Sequence, residues 1–476
     1  MEDDSCASQL FDQLEIFRWL ENETPCFPVD GNKVHVIYEP DVFYSTLLKR
    51  ARAAQKRITI ASLYLGTGKL EKDLVASLEY ALESNQFARP RVRVLLDAAR
   101  GSRGVTNSRT MLLPLVKSYG DHCSVHLYHT PALRGIMKRI MPERWNELIG
   151  LQHMKVYLFD DSLLISGANL SHDYFTNRQD RYILFDDCKN LADFVDSLIE
   201  TVSHFSFQMD AGNNLHLDPD CNHHPYEEAG EQFAAEAKKK VYKLFEDQLN
   251  YNRNKYQWPN SNNHDTWVFP LVQMGQLGIY MDNILTRRIL ESVPHNAELS
   301  LATGYFNLTQ DYMDSILHSS QPKVNILLAH PSANGFLGAQ GFAGGVPSAY
   351  TLLASQFYEQ VVRGAQSMRI RLWEYQRQLW TFHAKGMWVS FNNPEDPKPC
   401  FTLIGSPNFG YRSVHRDLET QLAVVTVNTN LRDQLHEERK NLFLSAETVD
   451  SATYSNSERS VPLWVKFVIR VFKHFF

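Results

Sequence analysis

The sequence lacks features that would place it in several common protein classes. Its six cysteines are scattered and form no C-x-x-C pair, so a reducing compartment is expected. The net charge of -6 carries none of the basic excess that is typical of nucleic-acid-binding domains, and no nucleic-acid partner is predicted. The polar stretch "CNHH" (221–224) has no second pair of ligands, so no metal site is predicted there.

Long hydrophobic runs are missing as well. The longest segment without Asp, Glu, Lys or Arg, residues 324–358, is interrupted by "HPSANG" and "GFAGGVPSA", which argue against a membrane-spanning helix. The acidic start "MEDDSCASQLFDQLEIF" resembles neither a secretory signal nor an Arg-rich mitochondrial presequence. With 476 residues, 43% of them hydrophobic, the chain is long enough for two globular domains.

What the sequence does contain is an internal repeat. Four segments recur in the same order, each with a strand pattern: 57–82 with 298–319, 92–104 with 324–335, 124–130 with 370–376, and 153–170 with 383–409. Strands alternating with helices predict two α/β sandwich units related by a pseudo-two-fold. Turn-forming residues mark the join, and the predicted organisation is an extension (1–28), a first unit (29–210), a connecting segment (211–268), a second unit (269–450) and a terminal helix (459–476).

The last repeated element carries the candidate catalytic residues. Each copy has a histidine and a lysine two positions apart, then an asparagine, and a carboxylate eleven residues after the asparagine. These residues are His153, Lys155, Asn169 and Asp180 in the first copy, and His383, Lys385, Asn408 and Glu419 in the second. Because side chains alternate along a strand, we expect each histidine to share a face with its lysine.

This set of residue types suits phosphoryl chemistry. Lysines and asparagines bind phosphate oxygens, one histidine can attack phosphorus and the other can protonate the leaving oxygen. The carboxylates would orient the imidazoles. A single buried histidine is more often a core residue, and two repeated units can pack without sharing a site, but duplication of the whole set favours one shared active site.

The motifs resemble a known family. H-x-K-x-x-x-x-D followed by G-S-x-N is the signature of the phospholipase D superfamily, and "HMKVYLFD" fits it with His153, Lys155 and Asp160. The second copy, "HAKGMWVS", has Ser390 in place of the aspartate, and "SGANL" exchanges the Ser and Gly of "GSPNF". "ASLYLGTG", "GANLSHDYFTNRQDRY" and "LIGSPNFGYRSVHRDLE" are similar to the eukaryotic phosphatidylglycerophosphate synthases of that superfamily, over nearly the whole chain.

The resemblance implies a fold and a reaction. The implied fold is two phospholipase D-like α/β sandwich domains with the active site at their interface. The implied reaction transfers the phosphatidyl group of CDP-diacylglycerol to glycerol 3-phosphate, with His153 as nucleophile and His383 as acid and then base. No cofactor is required in this scheme, while stimulation by Mg²⁺ or Ca²⁺ is left open. A phosphodiesterase or nuclease that uses water, and a degenerate membrane-bound scaffold, are the alternatives.

Asp160 belongs to the signature but is predicted to have another role. It lies an odd number of residues from both His153 and Lys155, so on a straight strand it faces away from them. We therefore expect it to anchor the sheet or a loop, although the motif includes it with the catalytic residues. A β-bulge would reverse this expectation.

Two further groups are candidates for substrate contacts. The acceptor carries its own phosphate, and the candidates to bind it, with solvated surface arginines as the alternative, are Arg100, Arg103, Arg109 and Arg412. The loop at 61–68 is a weaker candidate, as a contact for ATP or CDP: it has no Walker A order, and a shared strand-to-loop element is the favoured explanation. Its residues are Ala61, Ser62, Leu63, Tyr64, Leu65, Gly66, Thr67 and Gly68.

The carboxyl-terminal segment predicts a membrane contact. In "LWVKFVIRVFKHFF", Lys466, Arg470 and Lys473 fall on one helical stripe among aromatic and aliphatic residues, as in an interfacial helix on an anionic membrane surface. A helix packed in the core is the alternative. The segment 133–145 is a second candidate contact. The resemblance implies a peripheral location on the mitochondrial inner membrane.

Overall fold

The computed structural model describes residues 10–84, 89–135, 149–228, 230–255, 264–340, 344–392 and 396–472. Its α-helices are α1 Leu20–Glu23, α2 Pro40–Ala53, α3 Lys69–Ser84, α4 Ala98–Gly101, α5 Ser108–Tyr119, α6 His172–Thr176, α7 Lys189–His204, α8 Gly230–Lys255, α9 Met281–Ser292, α10 Gln310–Asp314, α11 Val346–Arg363, α12 Tyr411–His415, α13 Thr429–Leu444, α14 Ser451–Ser455 and α15 Leu463–Phe472. A short π-helix, Ser315–Ser319, continues α10.

The strands form two sheets of nine and a third of two. They are β1 Phe27–Val29, β2 Val34–Ile37, β3 Arg57–Ala61, β4 Arg91–Asp97, β5 Cys123–Tyr128, β6 Val156–Phe159, β7 Ser162–Ser166, β8 Arg178–Gln179, β9 Tyr182–Phe185, β10 Phe207–Met209, β11 Leu215–Leu217, β12 Thr266–Met274, β13 Ala297–Thr303, β14 Lys323–Ala329, β15 Ile370–Tyr375, β16 Thr381–Phe382, β17 Gly386–Phe391, β18 Phe401–Gly405, β19 Leu418–Thr426 and β20 Ala446–Thr448.

The two large sheets have the same order over eight strands, as the sequence repeat predicts, and differ in the ninth, which is β11 at one edge of the first sheet and β1 at the opposite edge of the second. The first runs β11-β10-β5-β4-β3-β6-β7-β9-β2 and the second runs β20-β15-β14-β13-β17-β18-β19-β12-β1. In each, three neighbouring strands are parallel, and the strand that follows the His-x-Lys segment pairs antiparallel with the innermost of them. The parallel strands are almost wholly buried, which suits their Val, Leu and Ile content.

The two large sheets have helices packed between them and on the outer face of each, which gives five layers in all. One core lies between the sheets and includes Val156, Trp388 and Ile404 with the apolar faces of α7, α8 and α13. A second core packs α2, α3 and α5 on the outer face of the first sheet, and a third packs α9 and α11 on the second. This arrangement is the predicted pair of α/β sandwich units.

The sheets extend beyond the predicted unit boundaries. The turn-forming residues after 210 belong to the hairpin between β10 and β11, so the first sheet reaches Leu217. At the other end, β12 begins at Thr266, inside the predicted connecting segment. The described part of the amino-terminal extension belongs to the second half, because β1 pairs with β12 and Phe17 is buried in that half's core. Turn formers alone do not distinguish a hairpin from a linker.

A buried arginine joins the halves. Arg181, from the first half, donates from Nε and Nη2 to the Glu438 carboxylate at 2.9 and 2.8 Å, and from Nη1 to the Leu403 carbonyl at 2.6 Å. Its guanidinium also lies 3.8 Å from the ring centre of Trp388. Because both charges are buried and paired bidentately, removal of either partner would leave an uncompensated charge at the interface. Among the described residues, no helix is both long and apolar enough to cross a bilayer.

Candidate active site

Two crossed connections bring the histidines to the interface of the halves. Gln152 forms a parallel bridge with Leu418, and the His153 amide donates to the Leu418 carbonyl at 2.8 Å. In the same way β16 pairs with β8, and the His383 amide donates to the Gln179 carbonyl at 2.8 Å. Each histidine segment is therefore hydrogen-bonded to the residues that precede the carboxylate of the other half.

The histidines and lysines are not on regular strands, contrary to the prediction. His153 and Lys155 precede β6, and His383 and Lys385 fill the gap between β16 and β17. Their backbone bonds go to the other half of the molecule and not along a continuous sheet. The strand pattern was right for the residues that follow, 156–159 and 386–391.

Glu419 orients His153 from the opposite half. Its two oxygens lie 2.9 and 3.0 Å from Nδ1 of His153, and the Ser413 hydroxyl donates to Oε1 at 2.9 Å. An Nδ1–H that donates to Glu419 leaves Nε2 as the basic nitrogen. Nε2 of His153 makes no hydrogen bond with a described residue, so it is available to a substrate atom.

Asp180 has the corresponding position at His383. Its Oδ2 lies 2.6 Å from Nδ1 of His383, while Nε2 lies 3.2 Å from the Tyr174 hydroxyl. Lys385 Nζ also lies 2.7 Å from Nδ1, and since one ring nitrogen cannot donate and accept at once, the two contacts are alternatives. When Nδ1 donates to Asp180, Lys385 keeps its ion pair with the same carboxylate, at 3.6 Å, and its remaining N–H groups can donate to a phosphate oxygen.

Burial dominates the electrostatics of the site. Burial and the charge of Lys155 hold the pKa of His153 well below its usual 6.5, and burial with Lys385 does the same to the pKa of His383. Burial likewise lowers the pKa of Lys155, further reduced by the charge of Lys385. Concentrated positive charge of this kind is what an anionic phosphate would stabilise.

The asparagines lie beside the histidines with unused hydrogen-bonding capacity. Asn169 donates from Nδ2 to the Tyr174 hydroxyl at 3.2 Å, and the backbone N–H of Asn408 donates to the Ser413 hydroxyl at 3.0 Å. Within the described part of the chain, the buried side-chain oxygens of Asn169 and Asn408 have no hydrogen-bond partner. Unsatisfied buried amides in equivalent places of both halves are expected of residues that bind a ligand.

The exchanged serine and glycine of the two motifs have the same function. Ser166 donates to the Arg181 carbonyl at 2.6 Å, and Ser406 donates to the equivalent Thr420 carbonyl at 3.2 Å. Each hydroxyl thus holds the residue that follows the orienting carboxylate. Gly167 is required in the first half because a Cβ there would lie 2.6 Å from Lys385 Nζ.

Asp160 lies in a turn and not among the catalytic groups. It occupies the two-residue connection between β6 and β7 with a φ of 53°, and its carboxylate accepts the backbone N–H groups of Gln55, Lys56 and Arg57. Inclusion of Asp160 with the catalytic residues on the strength of the motif was therefore wrong. The contacts support the anchoring role that was predicted from the odd number of residues between Asp160 and the His153–Lys155 pair.

The substitution at Ser390 follows from this. β17 continues through Ser390, which pairs with Glu298, and β18 starts only at Phe401. The second half thus replaces a tight turn with a longer connection, in which no left-handed aspartate is needed. Ser390 accepts a hydrogen bond from Nη1 of Arg439 at 3.1 Å instead.

The arginine candidates separate into two groups. Arg412 lies near the site, where it pairs with Asp417 at 3.4 Å and its charge helps to lower the pKa of His153 after burial and the two lysines. Arg100 lies 4.4 Å from the ring centre of Tyr64, and Arg103 is half-buried in the following loop. Arg109 is wrong as a phosphate ligand, because it donates to the Asn213 side chain at 3.1 Å and to the Asn213 carbonyl, which fixes the β10–β11 turn.

The loop at 61–68 has a structural reason for its glycines. A Cβ on Gly66 or Gly68 would lie 2.4 or 2.6 Å from the carboxylate oxygens of Glu71, which is buried and accepts the His172 amide at 2.7 Å. The loop therefore encloses a carboxylate of the protein itself, and an ATP contact there stays a prediction. The shared strand-to-loop element is also present, since Ser62 and Thr303 each donate to the carbonyl two residues on, at 3.2 and 3.0 Å.

One set of donors in the described residues could be considered for a cation. His153, Asp417 and Glu419 have ligand atoms within 4.8 Å of one another. These atoms already serve other groups: Glu419 binds the imidazole and Ser413, and Asp417 pairs with Arg412 and accepts the Leu151 amide at 3.1 Å. With Lys155 beside them, the arrangement fits an orienting role better than a metal site.

Three residues near His383 were missed by the sequence analysis. Tyr174 contacts its Nε2, the Tyr305 ring lies 5.6 Å from its ring, and Arg178 lies 4.7 Å from the ring centre of Tyr174. Tyr305 was visible as the repeat partner of Tyr64, but Arg178 has no basic counterpart in the second half, so the repeat gave no signal for it.

Comparisons with known proteins agree with this geometry. The chain is 44% identical to human mitochondrial CDP-diacylglycerol–glycerol-3-phosphate 3-phosphatidyltransferase, over 97% of this chain and 86% of that protein. It is 38% identical to the probable enzyme of the same name from Dictyostelium discoideum, over 97% and 80%. The fold is similar to a crystal structure of phosphatidylserine synthase from Haemophilus influenzae, with a TM-score of 0.71, 18% identity and 97% of both chains covered. No family model matches.

Proposed function

The chain belongs to the family of CDP-diacylglycerol–glycerol-3-phosphate 3-phosphatidyltransferases, and we propose that it performs this transfer through a covalent phosphatidyl-histidine intermediate. The reaction moves the phosphatidyl group from CDP-diacylglycerol to glycerol 3-phosphate and releases CMP, which is the first committed step toward phosphatidylglycerol and cardiolipin. The names of the vertebrate relatives support a mitochondrial location.

The observation that carries the proposed mechanism is the pair of crossed histidine–carboxylate contacts. Each Nδ1 is held by a carboxylate of the other half, which directs each Nε2 toward the interface. We assign the attack to His153, whose Nε2 is without a protein partner among the described residues. His383 contacts the Tyr174 hydroxyl through Nε2, a hydrogen bond that suits a proton-transfer group.

The steps balance with these two residues. Nε2 of His153 attacks the lipid-side phosphorus, the bond from phosphorus to the bridging oxygen breaks, and CMP leaves with a proton from His383. The 1-hydroxyl of glycerol 3-phosphate then gives its proton to His383 as its oxygen attacks the same phosphorus, which breaks the P–N bond. Lys155, Lys385, Asn169 and Asn408 stabilise the charge on the phosphoryl oxygens.

We propose that the lysines supply the charge that a metal ion supplies in other phosphoryl-transfer sites. Both ammonium groups are buried beside the histidines, with Lys155 Nζ 2.6 Å from the His153 carbonyl. In this scheme any stimulation by Mg²⁺ or Ca²⁺ acts on the lipid surface and not in the transfer itself.

The terminal helix supports a peripheral position on the inner membrane. Val465 and Ile469 are buried against Ala349, while Leu463, Trp464 and Phe467 are 83%, 45% and 67% exposed. Lys466 and Arg470 are exposed on the same helix. The helix is thus packed on one side, as the core alternative had it, and presents aromatic and basic side chains on the other, as anionic lipid requires. Residues 473–476 and most of the second candidate contact, 133–145, lie outside the described residues.

An experiment that distinguishes the roles of the two histidines tests the mechanism. CMP is a far better leaving group than an alkoxide, so loss of His383 should slow the second step more than the first. With CDP-diacylglycerol alone, His383→Ala should give a burst of about one CMP per enzyme and an acid-labile phosphatidyl adduct on His153. Overall transfer should be reduced about 10²- to 10⁴-fold. His153→Ala should give neither burst nor adduct.

The outcomes also distinguish the alternatives. An adduct on His383 in His153→Ala would reverse the two roles. Phosphatidate formed by wild type at one rate with and without glycerol 3-phosphate would indicate a hydrolase. Unchanged transfer by both alanine variants would indicate that the site is a scaffold.

A further inference from the structure

The two halves of the site contain the same ion pair with its charges exchanged. Four and nine residues after Asn169 stand Asp173 and Arg178, whose Oδ2 and Nη2 lie 3.2 Å apart. Four and nine residues after Asn408 stand Arg412 and Asp417, at 3.4 Å. The guanidinium therefore stands nine residues after the asparagine in the first half and four residues after it in the second. The two halves of the site differ in charge at these positions, and a site with two different substrates needs such a difference.

Arg178 is held beside His383. It lies on β8 opposite Thr381, donates from Nε to the Thr381 hydroxyl at 3.0 Å, and lies over the ring of Tyr174, whose hydroxyl is 3.2 Å from Nε2 of His383. Its contacts with Thr381 and Asp173 fix the plane of the guanidinium and use two of its five N–H groups. The side chain is 14% exposed, whereas Asp173 is 56% exposed.

A second polar group converges on the same place. A Cβ on Gly335 would lie 3.3 Å from Nη2 of Arg178 and 3.4 Å from the hydroxyl of Tyr305. The hydroxyl and the guanidinium therefore face one small region, which the backbone of Gly335 borders. Arg178 and Tyr305 come from different halves of the chain, so this region belongs to the interface.

The chemistry indicates which substrate group this region receives. In both displacements the leaving or entering oxygen lies on the far side of phosphorus from His153, which is the His383 side. The 1-hydroxyl of glycerol 3-phosphate is separated from its phosphate by three carbons, roughly 5–6 Å with ordinary bond lengths. When the hydroxyl contacts Nε2 of His383, this length brings the phosphate to the neighbourhood of Tyr174 and Tyr305, whose rings lie 5.1 and 5.6 Å from the His383 ring, and the Arg178 guanidinium lies 4.7 Å from the Tyr174 ring centre.

We propose that Arg178, with the Tyr305 hydroxyl, binds the phosphate of the acceptor and so selects glycerol 3-phosphate over unphosphorylated alcohols. This assignment rests on the proposed function, with His383 as the base. The phosphate replaces Asp173 as the partner of the guanidinium, at small cost because the Asp173 carboxylate is more than half exposed and stays hydrated when it is released. Arg412, on the His153 side, does not contact the acceptor.

Acceptor preference tests the assignment. Initial rates are measured with glycerol 3-phosphate and with glycerol, which offers the same hydroxyl without the phosphate. Arg178→Gln should raise KM for glycerol 3-phosphate about 10- to 100-fold, the range for a charge-assisted hydrogen-bonded pair, while KM for glycerol changes less than about threefold. Arg178→Lys, which keeps the charge but loses the planar donors, should fall between, and Tyr305→Phe should raise only the KM for glycerol 3-phosphate.

Two controls interpret the result. Arg363→Gln removes a guanidinium that is 78% exposed on α11 and should leave both acceptors unchanged. Arg412→Gln should alter the two acceptors equally. Turnover of glycerol by Arg178→Gln would show that this variant is folded. If the variant does not fold, the same comparison is made with Arg178→Lys and Tyr305→Phe.

The failures are distinguishable. If Arg178→Gln lowers turnover of both acceptors by the same factor, Arg178 only positions His383 through Tyr174, and the phosphate subsite is refuted while the transferase function stands. If wild type prefers glycerol 3-phosphate no more than glycerol or water, the proposed function itself fails.

Discussion

Replacement of Asp160 tests whether this residue of the signature motif has a structural or a catalytic role. Asp160→Ala removes a carboxylate that accepts three backbone N–H groups, those of Gln55, Lys56 and Arg57. It also places alanine at a φ of 53°, where aspartate is tolerated better. The orienting contacts of His153 and His383 involve neither Asp160 nor its neighbours, so the site should keep its geometry.

The magnitude follows from the exposure of these groups. Gln55 and Lys56 are exposed, so water replaces most of their lost hydrogen bonds, and the three together contribute about 1–2 kcal/mol. The left-handed conformation adds about 1–2 kcal/mol. A total of about 2–4 kcal/mol lowers Tm by roughly 4–16 °C for a unit of this size. Asp160→Asn keeps one acceptor oxygen and tolerates the φ, so its loss should be about half as large.

Thermal unfolding and acceptor-dependent transfer, measured on the same preparation, decide the matter. We expect Asp160→Ala to have a lower Tm and, well below it, a kcat within about threefold of wild type. Ser390→Ala is the matched control in the other half and loses only the hydrogen bond from Arg439. A kcat reduced a hundredfold at an unchanged Tm would refute the reasoning and return Asp160 to the catalytic residues.

Three further predictions follow from the electrostatics and the surface. The pKa of His153 in the folded protein lies well below 6.5, so as pH falls the unfolded chain binds a proton at this residue before the folded protein does. The free energy of unfolding should therefore decline between pH 6.5 and 5. In urea titrations, His153→Gln should remove up to ~1.4 kcal/mol per pH unit of that decline. EDTA should leave initial transfer rates in detergent within about twofold, and a loss that only added Mg²⁺ restores would contradict the role given to the lysines. Trp464→Ser with Phe467→Ser should weaken sedimentation with anionic vesicles about 10- to 100-fold relative to the exposed control Tyr80→Ser, and equal binding by all variants would exclude this helix as the contact.

Much of the fold could be predicted from the repeat. Matching apolar strands and their order gave two equivalent units, and equal spacing from each asparagine gave Asp180 and Glu419 as partners of the histidines. The spacing could not show that each carboxylate serves the histidine of the other half, because that depends on how the units dock. Nor could it show that β1 completes the second sheet, since a strand of three residues with a proline in the middle carries no partner information.

Other misses have local causes. Arg109 looked like a phosphate ligand because its segment follows a strand end, but it is used to fix a hairpin turn whose residues are distant in sequence. Arg178 was overlooked because symmetry was the guide, and the second half has Asp417 in its place. Repetition identifies what the two halves share, whereas discrimination between two different substrates depends on where they differ.

The crossed contacts also limit how the two halves can change over time. After the duplication, a substitution at Asp180 disables the histidine of the opposite half, so neither copy could drift alone. Arg181, next to Asp180 in the chain, binds Glu438 of the second half. A change in this one segment would therefore weaken both the contact between the halves and the orientation of His383. A chain cut within the connecting segment should stay active as long as its fragments remain associated, and either fragment alone should be inert.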